Sequence, residues 1–347
     1  MIGHGFTDGF CDRARHPEDD KGHHTMLSCR DFEKAEELVY RSMSPTPCYN
    51  WPLLAAELGA YVWMKHENHT PTGAFKVRGG LVYANRHKAR FPEGGGLISA
   101  TRGNHGLSLA FAARVEGMRA TIVVPHGNSP EKNEATKAFG ATVVEEGDDF
   151  DLAVSHAKAV AAQDGLHMVP SFHEDLVAGV GTYAYEMLQQ NRDLDTIYVP
   201  IGKGSGICGM IAARDALNLK TKIVGVTSDR ADGYARSFEA GCLLEADRSD
   251  TFADGMAVRC PDPDALAVVC KGAERVVRVD DETIANAIRL IFRATHNMAE
   301  GAGAASLAAL MSEKAKMAGK KVGVVLSGHN IDTAWVAQLM AGQTPTV

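Results

Sequence analysis

Thr196-Ile197-Tyr198-Val199-Pro200-Ile201-Gly202-Lys203-Gly204-Ser205-Gly206-Ile207-Cys208-Gly209-Met210-Ile211-Ala212-Ala213-Arg214 carries three structural elements in succession. Thr196 to Pro200 is an apolar run with β-branched residues and reads as a strand. A glycine-rich polar turn follows, and then Gly206 to Leu217 reads as an Ala-rich helix. Lys222 to Thr227 is the next strand. A strand, a helix and a strand in this order predict parallel pairing, because the helix carries the chain back to the same end of the sheet. The layout also occurs upstream. Leu97-Ile98-Ser99 ends a strand, Gly106 to Val115 is a helix, and Ala120 to Val124 is a strand. Both helices carry Ala-Ala-Arg, at Ala112 to Arg114 and at Ala212 to Arg214. A third strand, Lys321 to Leu326, stops at Ser327-Gly328-His329-Asn330 before a last helix. The fold class is therefore α/β, and ligands of such sheets sit beyond the carboxyl ends of the strands. All three polar loops lie there.

Composition narrows the function. The 347 residues include 36 Lys+Arg and 43 Asp+Glu, a formal net charge of −7, with 45% hydrophobic and 23% charged residues. That is a globular chain without the basic excess that releases phosphate counterions, so general nucleic-acid binding is excluded. No apolar run reaches the roughly 20 residues of a membrane helix. The seven cysteines form no C-x-x-C pair and read as reduced thiols of a cytoplasmic chain, with no metal site assigned. The 35 glycines gather in loops, as they do where backbone approaches a ligand. Residues 1–25 read as an irregular solvated tail whose His4, His16, His23 and His24 have no ligand spacing, with Met26 as an alternative start. That tail lacks the apolar core of a secretory signal. Asp31 to Arg41 has helical spacing, stopped by Pro45 and Pro47.

Three segments offer chemistry. Lys76 follows the turn Pro71-Thr72-Gly73-Ala74-Phe75 at a helix start, where the dipole and burial beside Phe75 disfavour an ammonium. A lowered pKa makes such an amine a nucleophile toward carbonyls, although a lysine alone in that place also reads as an exposed loop residue. The loop Thr101-Arg102-Gly103-Asn104-His105-Gly106 precedes a helix and offers amides and hydroxyls to a carboxylate, or simply caps the helix. The loop Gly202-Lys203-Gly204-Ser205-Gly206 suits a phosphate, with Lys203 adding charge. Gly204-Ser205-Gly206-Ile207-Cys208-Gly209 also matches the dinucleotide pattern G-x-G-x-x-G. Asp229 follows the next strand, so a nicotinamide-dependent oxidoreductase stands as a rival reading.

Taken together, these segments resemble the fold type II pyridoxal-phosphate enzymes, in particular the serine/threonine dehydratase family. The Schiff-base motif P-T-G-S-F-K-x-R-G is matched by Pro71 to Gly79, with Ala74 for Ser. The S-x-G-N-H-x-Q loop is matched by Thr101 to Leu107, and the glycine phosphate loop by Gly202 to Gly206. Ala178 to Thr182, Asp254 to Ala257, Glu300 to Ala304 and Leu326 to Asn330 follow in the family's order, over roughly residues 40 to 335. The resemblance implies a tryptophan synthase β-like fold with two three-layer α/β domains and mostly parallel sheets. Residues 26–95 and 173–347 would form the large cofactor domain, and 96–172 a small mobile one. It implies pyridoxal 5'-phosphate as cofactor, joined to Lys76 as an internal aldimine and lined by Phe75. Gly202, Lys203, Gly204, Ser205 and Gly206 would cradle its phosphate, Asn104 would meet its phenolic oxygen, and Ser327 its pyridine nitrogen. Thr101, Arg102, Gly103, Asn104 and His105 would form the substrate side, with Thr101, Asn104 and His105 on the α-carboxylate. A serine at the ring nitrogen cannot protonate it fully, which favours loss of a β-substituent over transamination. Lys76 would be the general base.

The implied reaction is dehydration and deamination of a β-hydroxy-α-amino acid (serine, threonine, phenylserine or 3-hydroxyaspartate) to a 2-oxo acid and ammonia, by a homodimer. A non-catalytic amino-acid sensor on the same fold is the third reading. Departures from the family pattern carry information. Arg102 replaces the serine that acts as second base in serine racemases, which argues against racemase activity. Lys203 and Ser205 replace glycines, Val180 replaces a glutamine and His329 a glycine. Thr227 to Asp232 lacks the glutamate that opens the family's cation site. The chain ends soon after the last motif, so no regulatory domain and no isoleucine feedback are expected.

Overall fold

The computed structural model describes residues 27–347. The tail assigned to residues 1–25, with its four histidines and Cys11, lies outside them. Ten strands are present among the described residues: β1 (Cys48–Asn50), β2 (Tyr61–His66), β3 (Leu97–Ala100), β4 (Ala120–Val124), β5 (Thr142–Glu145), β6 (His167–Met168), β7 (Thr196–Pro200), β8 (Lys222–Ser228), β9 (Arg275–Val279) and β10 (Lys321–Leu326). They form a six-stranded sheet in the order β1-β2-β10-β7-β8-β9 and a four-stranded sheet in the order β5-β4-β3-β6. Every pairing is parallel except β1 with β2. β3 and β7 are buried along their whole length, which is why they read as continuous apolar runs without alternation. No helix among the described residues is long and apolar enough to cross a membrane.

Helices cover both sheets, and one of them sets the spacing of the site. Helix Glu174–Gln190 is buried from Asp175 to Leu188. Its Gly179 meets the helix Lys76–Arg90 so closely that a Cβ there would lie 2.3 Å from the Arg78 carbonyl oxygen. Two residues on, Gly181 meets Gly209 of the helix Ser205–Ala216, where a Cβ on Gly209 would lie 2.8 Å from the Gly181 Cα. One helix thus fixes the lysine-bearing and phosphate-loop helices relative to each other. An ion network locks the first of them. Arg78 is fully buried, with Nε donating to Glu67 Oε2 at 2.7 Å and Nη1 to Glu186 Oε1 at 2.6 Å. Lys65 Nζ also pairs with Glu186. Removing one member would strand a buried charge at a cost of about 3–5 kcal/mol.

The helices after the two glycine loops begin slightly earlier than the sequence pattern predicts. They start at Asn104 and Ser205, where Gly106 and Gly206 are expected. Their N-caps are Gly103 and Gly204, which have no side chain with which to mark the boundary.

Candidate active site

The carboxyl ends of β3, β7 and β10 converge on the start of helix Lys76–Arg90. Phe75 N–H donates to the Ser327 carbonyl at 3.0 Å and His329 N–H to the Gly73 carbonyl at 2.9 Å, so residues 73–75 are stitched to the loop after β10. Lys76 Nζ donates to Ser205 Oγ at 3.1 Å in the loop after β7. Ser108 Oγ, on the helix after β3, donates to the Lys76 carbonyl at 2.7 Å. Lys76 therefore touches the other two loop regions. Its pKa is pushed down to about 8, first by burial and then by the Lys203 ammonium. Its Nζ also lies 5.2 Å from the Phe75 ring centroid. The lysine at this helix start is sheltered and bonded to Ser205, not a solvated loop residue.

The loop after β7 is built rigidly. Gly204 has φ +101°, and a Cβ there would lie 2.5 Å from Ala265 Cβ. A Cβ on Gly202 would lie 2.3 Å from the Gly255 carbonyl oxygen. Ser205 opens the helix, whose first amides have no partner within it, so they are available to an anion. Lys203 is half-buried, and its carbonyl accepts from the Tyr234 hydroxyl at 3.2 Å.

The loop after β3 is held through side chains instead. Thr101 N–H donates to the Val123 carbonyl at 3.0 Å, and Thr101 Oγ1 accepts from Gly103 N–H at 3.2 Å. Asn104 Nδ2 donates to Glu300 Oε1 at 2.6 Å, while Asn330 Nδ2 donates to Asn104 Oδ1 at 2.8 Å. One amide hydrogen of Asn104 stays available. Burial, reinforced by Asp254, raises Glu300 to about 8, so it holds a proton at neutral pH. Oε1 accepts from Asn104, and Oε2 is buried without a partner. His105 is likewise driven down to about 3 by burial and by Lys76, and its Nε2 has no partner. Arg102 is exposed, with no acidic partner among the described residues. Ser327 is buried, and its Oγ makes only a long 3.4 Å contact to the Ala302 carbonyl.

The structure thus gathers Lys76, Phe75, Ser205, Asn104, His105 and Ser327 near one another, with Arg102 at the rim. It adds Glu300, Asn330 and Ser108, which the sequence reading did not assign. Glu300 lay within a quoted motif, whereas Ser108 carried no signal. Two buried polar atoms without partners, a depressed lysine and a loop with no room for a Cβ at Gly202 or Gly204 fit pyridoxal phosphate. The glycines of Gly204-x-Gly206-x-x-Gly209 each have a use within this fold that requires no dinucleotide. Gly204 makes the turn, Gly206 faces the Phe75 ring (3.5 Å from a Cβ) and Gly209 packs on Gly181.

Comparison with known proteins agrees. The pyridoxal-phosphate dependent enzyme family matches residues 39–328. The chain is 34% identical to an L-threonine ammonia-lyase of Geobacter sulfurreducens, covering 90% of this chain and 78% of that one. It is 32% identical to an L-threo-3-hydroxyaspartate ammonia-lyase of a Pseudomonas species, covering 91% and 99%. Maize serine racemase superposes with a TM-score of 0.84 at 27% identity, covering 91% and 98%. The chain belongs to the fold type II pyridoxal-phosphate-dependent enzymes, in the ammonia-lyase and dehydratase group that includes threonine dehydratase and serine racemase.

Proposed function

We propose that this chain eliminates the β-hydroxyl of a β-hydroxy-α-amino acid to give a 2-oxo acid and ammonia, with 3-hydroxyaspartate preferred over serine, threonine and phenylserine. The observation that carries the preference is Arg102. Its guanidinium is exposed and has no acidic partner among the described residues, and it sits in the loop that would hold the substrate carboxylate. A planar two-pronged donor there suits a second carboxylate. The Pseudomonas relative named for 3-hydroxyaspartate aligns over 99% of its length, which supports the same reading.

The geometry supports the following roles. When bound, the pyridoxal ring supplies a sink for the electron pair left at the substrate Cα. Lys76 Nζ, with its pKa near 8, is the amine that joins the cofactor and later takes the Cα proton. Gly202 to Gly206 and the helix they open hold the phosphate. Thr101 and the amides at the start of helix Asn104–Val115 hold the α-carboxylate, and His105, neutral at pH 7, contributes a hydrogen bond without charge. Ser327 offers a hydroxyl to the ring nitrogen and no carboxylate, which keeps the reaction on elimination. The four-stranded unit, 96–172, closes over the substrate and excludes water. The active form is a homodimer, which light scattering tests.

Ammonia and 2-oxo acid release from 3-hydroxyaspartate, threonine, serine and phenylserine tests the proposal. A kcat/KM at least tenfold higher for 3-hydroxyaspartate is expected. Equal values for threonine would return the substrate to the threonine reading and leave Arg102 outside substrate recognition. No ammonia from any of them would overturn the reaction.

A further inference from the structure

Lys132 is nearly buried, although it touches neither Lys76 nor the phosphate loop. It lies in the first turn of helix Pro130–Ala138, in the four-stranded unit, and its Nζ donates to Asp254 of the six-stranded unit. The pair runs beneath the substrate loop. A Cβ on Gly103 would lie 3.4 Å from Lys132 Cδ, 3.6 Å from Nζ and 3.9 Å from Asp254 Oδ2. The Asp254 end is fixed, because Asp254–Met256 forms a turn in which Met256 N–H donates to the Ala253 carbonyl at 2.8 Å. The neighbouring Gly255 carbonyl is seated against Gly202 of the phosphate loop. A single ion pair therefore connects the underside of the loop after β3 to the wall of the loop after β7.

The same helical turn makes two other contacts with the six-stranded unit. Glu131 accepts from Thr333 N–H at 3.0 Å and from Thr333 Oγ1 at 3.1 Å, and Ser129 Oγ donates to Asp332. The Glu131 contacts are exposed, and exposed pairs of this kind hold little. Lys132–Asp254 is sheltered from water, so screening weakens it less.

We infer that Lys132 is a positioning residue: paired with Asp254, it fastens the loop Thr101 to Gly106 against the six-stranded unit in the closed, carboxylate-binding arrangement. The inference rests on the reading that this loop holds the substrate carboxylate. Lys132 touches neither substrate nor cofactor; it acts through Gly103. Breaking the pair leaves the loop's chemistry intact but lets it depart, so substrate affinity falls more than the chemical step.

The test uses the holoenzyme. Lys132→Met keeps the aliphatic stem and removes the charge. It is expected to raise KM at least tenfold with kcat changed less than threefold, and to speed amide hydrogen exchange at residues 101–106. Asp254→Asn should do the same, the double variant should be no worse than either, and Lys132→Arg should recover most of the affinity. Glu131→Gln should move KM less than twofold. A KM within twofold of wild type in both Lys132→Met and Asp254→Asn, or an equal effect from Glu131→Gln, would overturn the assignment. If Lys132→Met does not fold, Asp254→Asn carries the same two readouts. Exchange is read without substrate, so a chain inactive on the whole amino-acid panel would end the functional reading and leave this test standing.

Discussion

The loops after β3 and after β7 have the same local grammar, an apolar parallel strand, a polar glycine turn and an Ala-rich helix carrying Ala-Ala-Arg, yet they are held in opposite ways. The loop after β7 is wedged by backbone. Gly204 is left-handed at φ +101°, and Gly202 has the Gly255 carbonyl where a Cβ would go. The loop after β3 is held by side chains that bridge to the other unit, Glu300 and Asn330 on Asn104 and Asp254 on Lys132 beneath Gly103. The first arrangement suits a phosphate that stays; the second suits a substrate that comes and goes. Lys76 belongs to neither loop and is tied to both regions, by its Nζ to Ser205 and by its carbonyl to Ser108.

That shared tie gives the largest expected effect. Lys76→Ala should abolish the covalent cofactor linkage and nearly all turnover, since general base catalysis alone is worth about 10²–10⁴-fold. Borohydride reduction of the wild type should fix the cofactor to the peptide containing Lys76. Fixation at another lysine would sink the assignment.

Next comes a matched pair of substitutions. Gly204→Ala needs a left-handed alanine and drives its Cβ to 2.5 Å from Ala265 Cβ, so strain and overpacking of about 1–3 kcal/mol each should weaken cofactor binding at least tenfold. Gly103→Ala meets nothing closer than 3.4 Å, at the φ of −172° that any residue adopts. Its cofactor affinity should stay within about threefold, since a Cβ in ordinary contact and away from the phosphate loop changes binding by about 0.5 kcal/mol. Cofactor titrations that rank the two variants equally would erase the contrast between a wedged loop and a held one.

Arg102→Ala probes the held loop itself. A charge-assisted bond is worth about 1.5–3 kcal/mol, so kcat/KM should fall about 10–150-fold for 3-hydroxyaspartate and little for serine or threonine. A uniform drop would place Arg102 on the α-carboxylate, and a drop for phenylserine alone would place it on an aromatic ring.

What was legible in the sequence divides along the same line. The bounds expected for β4, β7 and β10 are those observed, because strands covered on both faces announce themselves as unbroken apolar runs. The wedged loop was readable as a turn, since glycines alternate along it at Gly202, Gly204 and Gly206, although its helix starts one residue earlier than expected. The short β1 and β6, of 3 and 2 residues, have too little length for a pattern, and their existence depends on neighbours. Glu300 could be quoted within a motif but not given its partner. The Asn104–Glu300 contact spans 196 residues of sequence and Lys132–Asp254 spans 122, separations at which no local periodicity reports. Backbone constraints are written locally, while side-chain partnerships between units are not.

The smallest effect concerns the proton on Glu300, read as stability of the cofactor-free protein against pH. The native state holds this proton up to about pH 8, whereas the unfolded chain releases it near 4.5. Between those values the native state binds more protons, so stability falls as pH rises, and Glu300's contribution is fully present only below about 4.5. Lys76 has the opposite sign in the next window: its native pKa of about 8 lies below the unfolded 10.5, so the unfolded chain binds more protons and stability rises from about pH 8 to 10.5. Together the two groups predict a dip near pH 8. Glu300→Gln keeps an acceptor for Asn104 and removes the titration, so the falling limb should flatten while the rising limb remains. Lys76→Met should do the reverse. Urea denaturation at intervals from pH 5 to 10 measures both limbs. A falling limb that persists in Glu300→Gln would mean that the proton sits elsewhere and that Asn104 is held by a carboxylate, which would make the held loop a charged clamp instead of a neutral one.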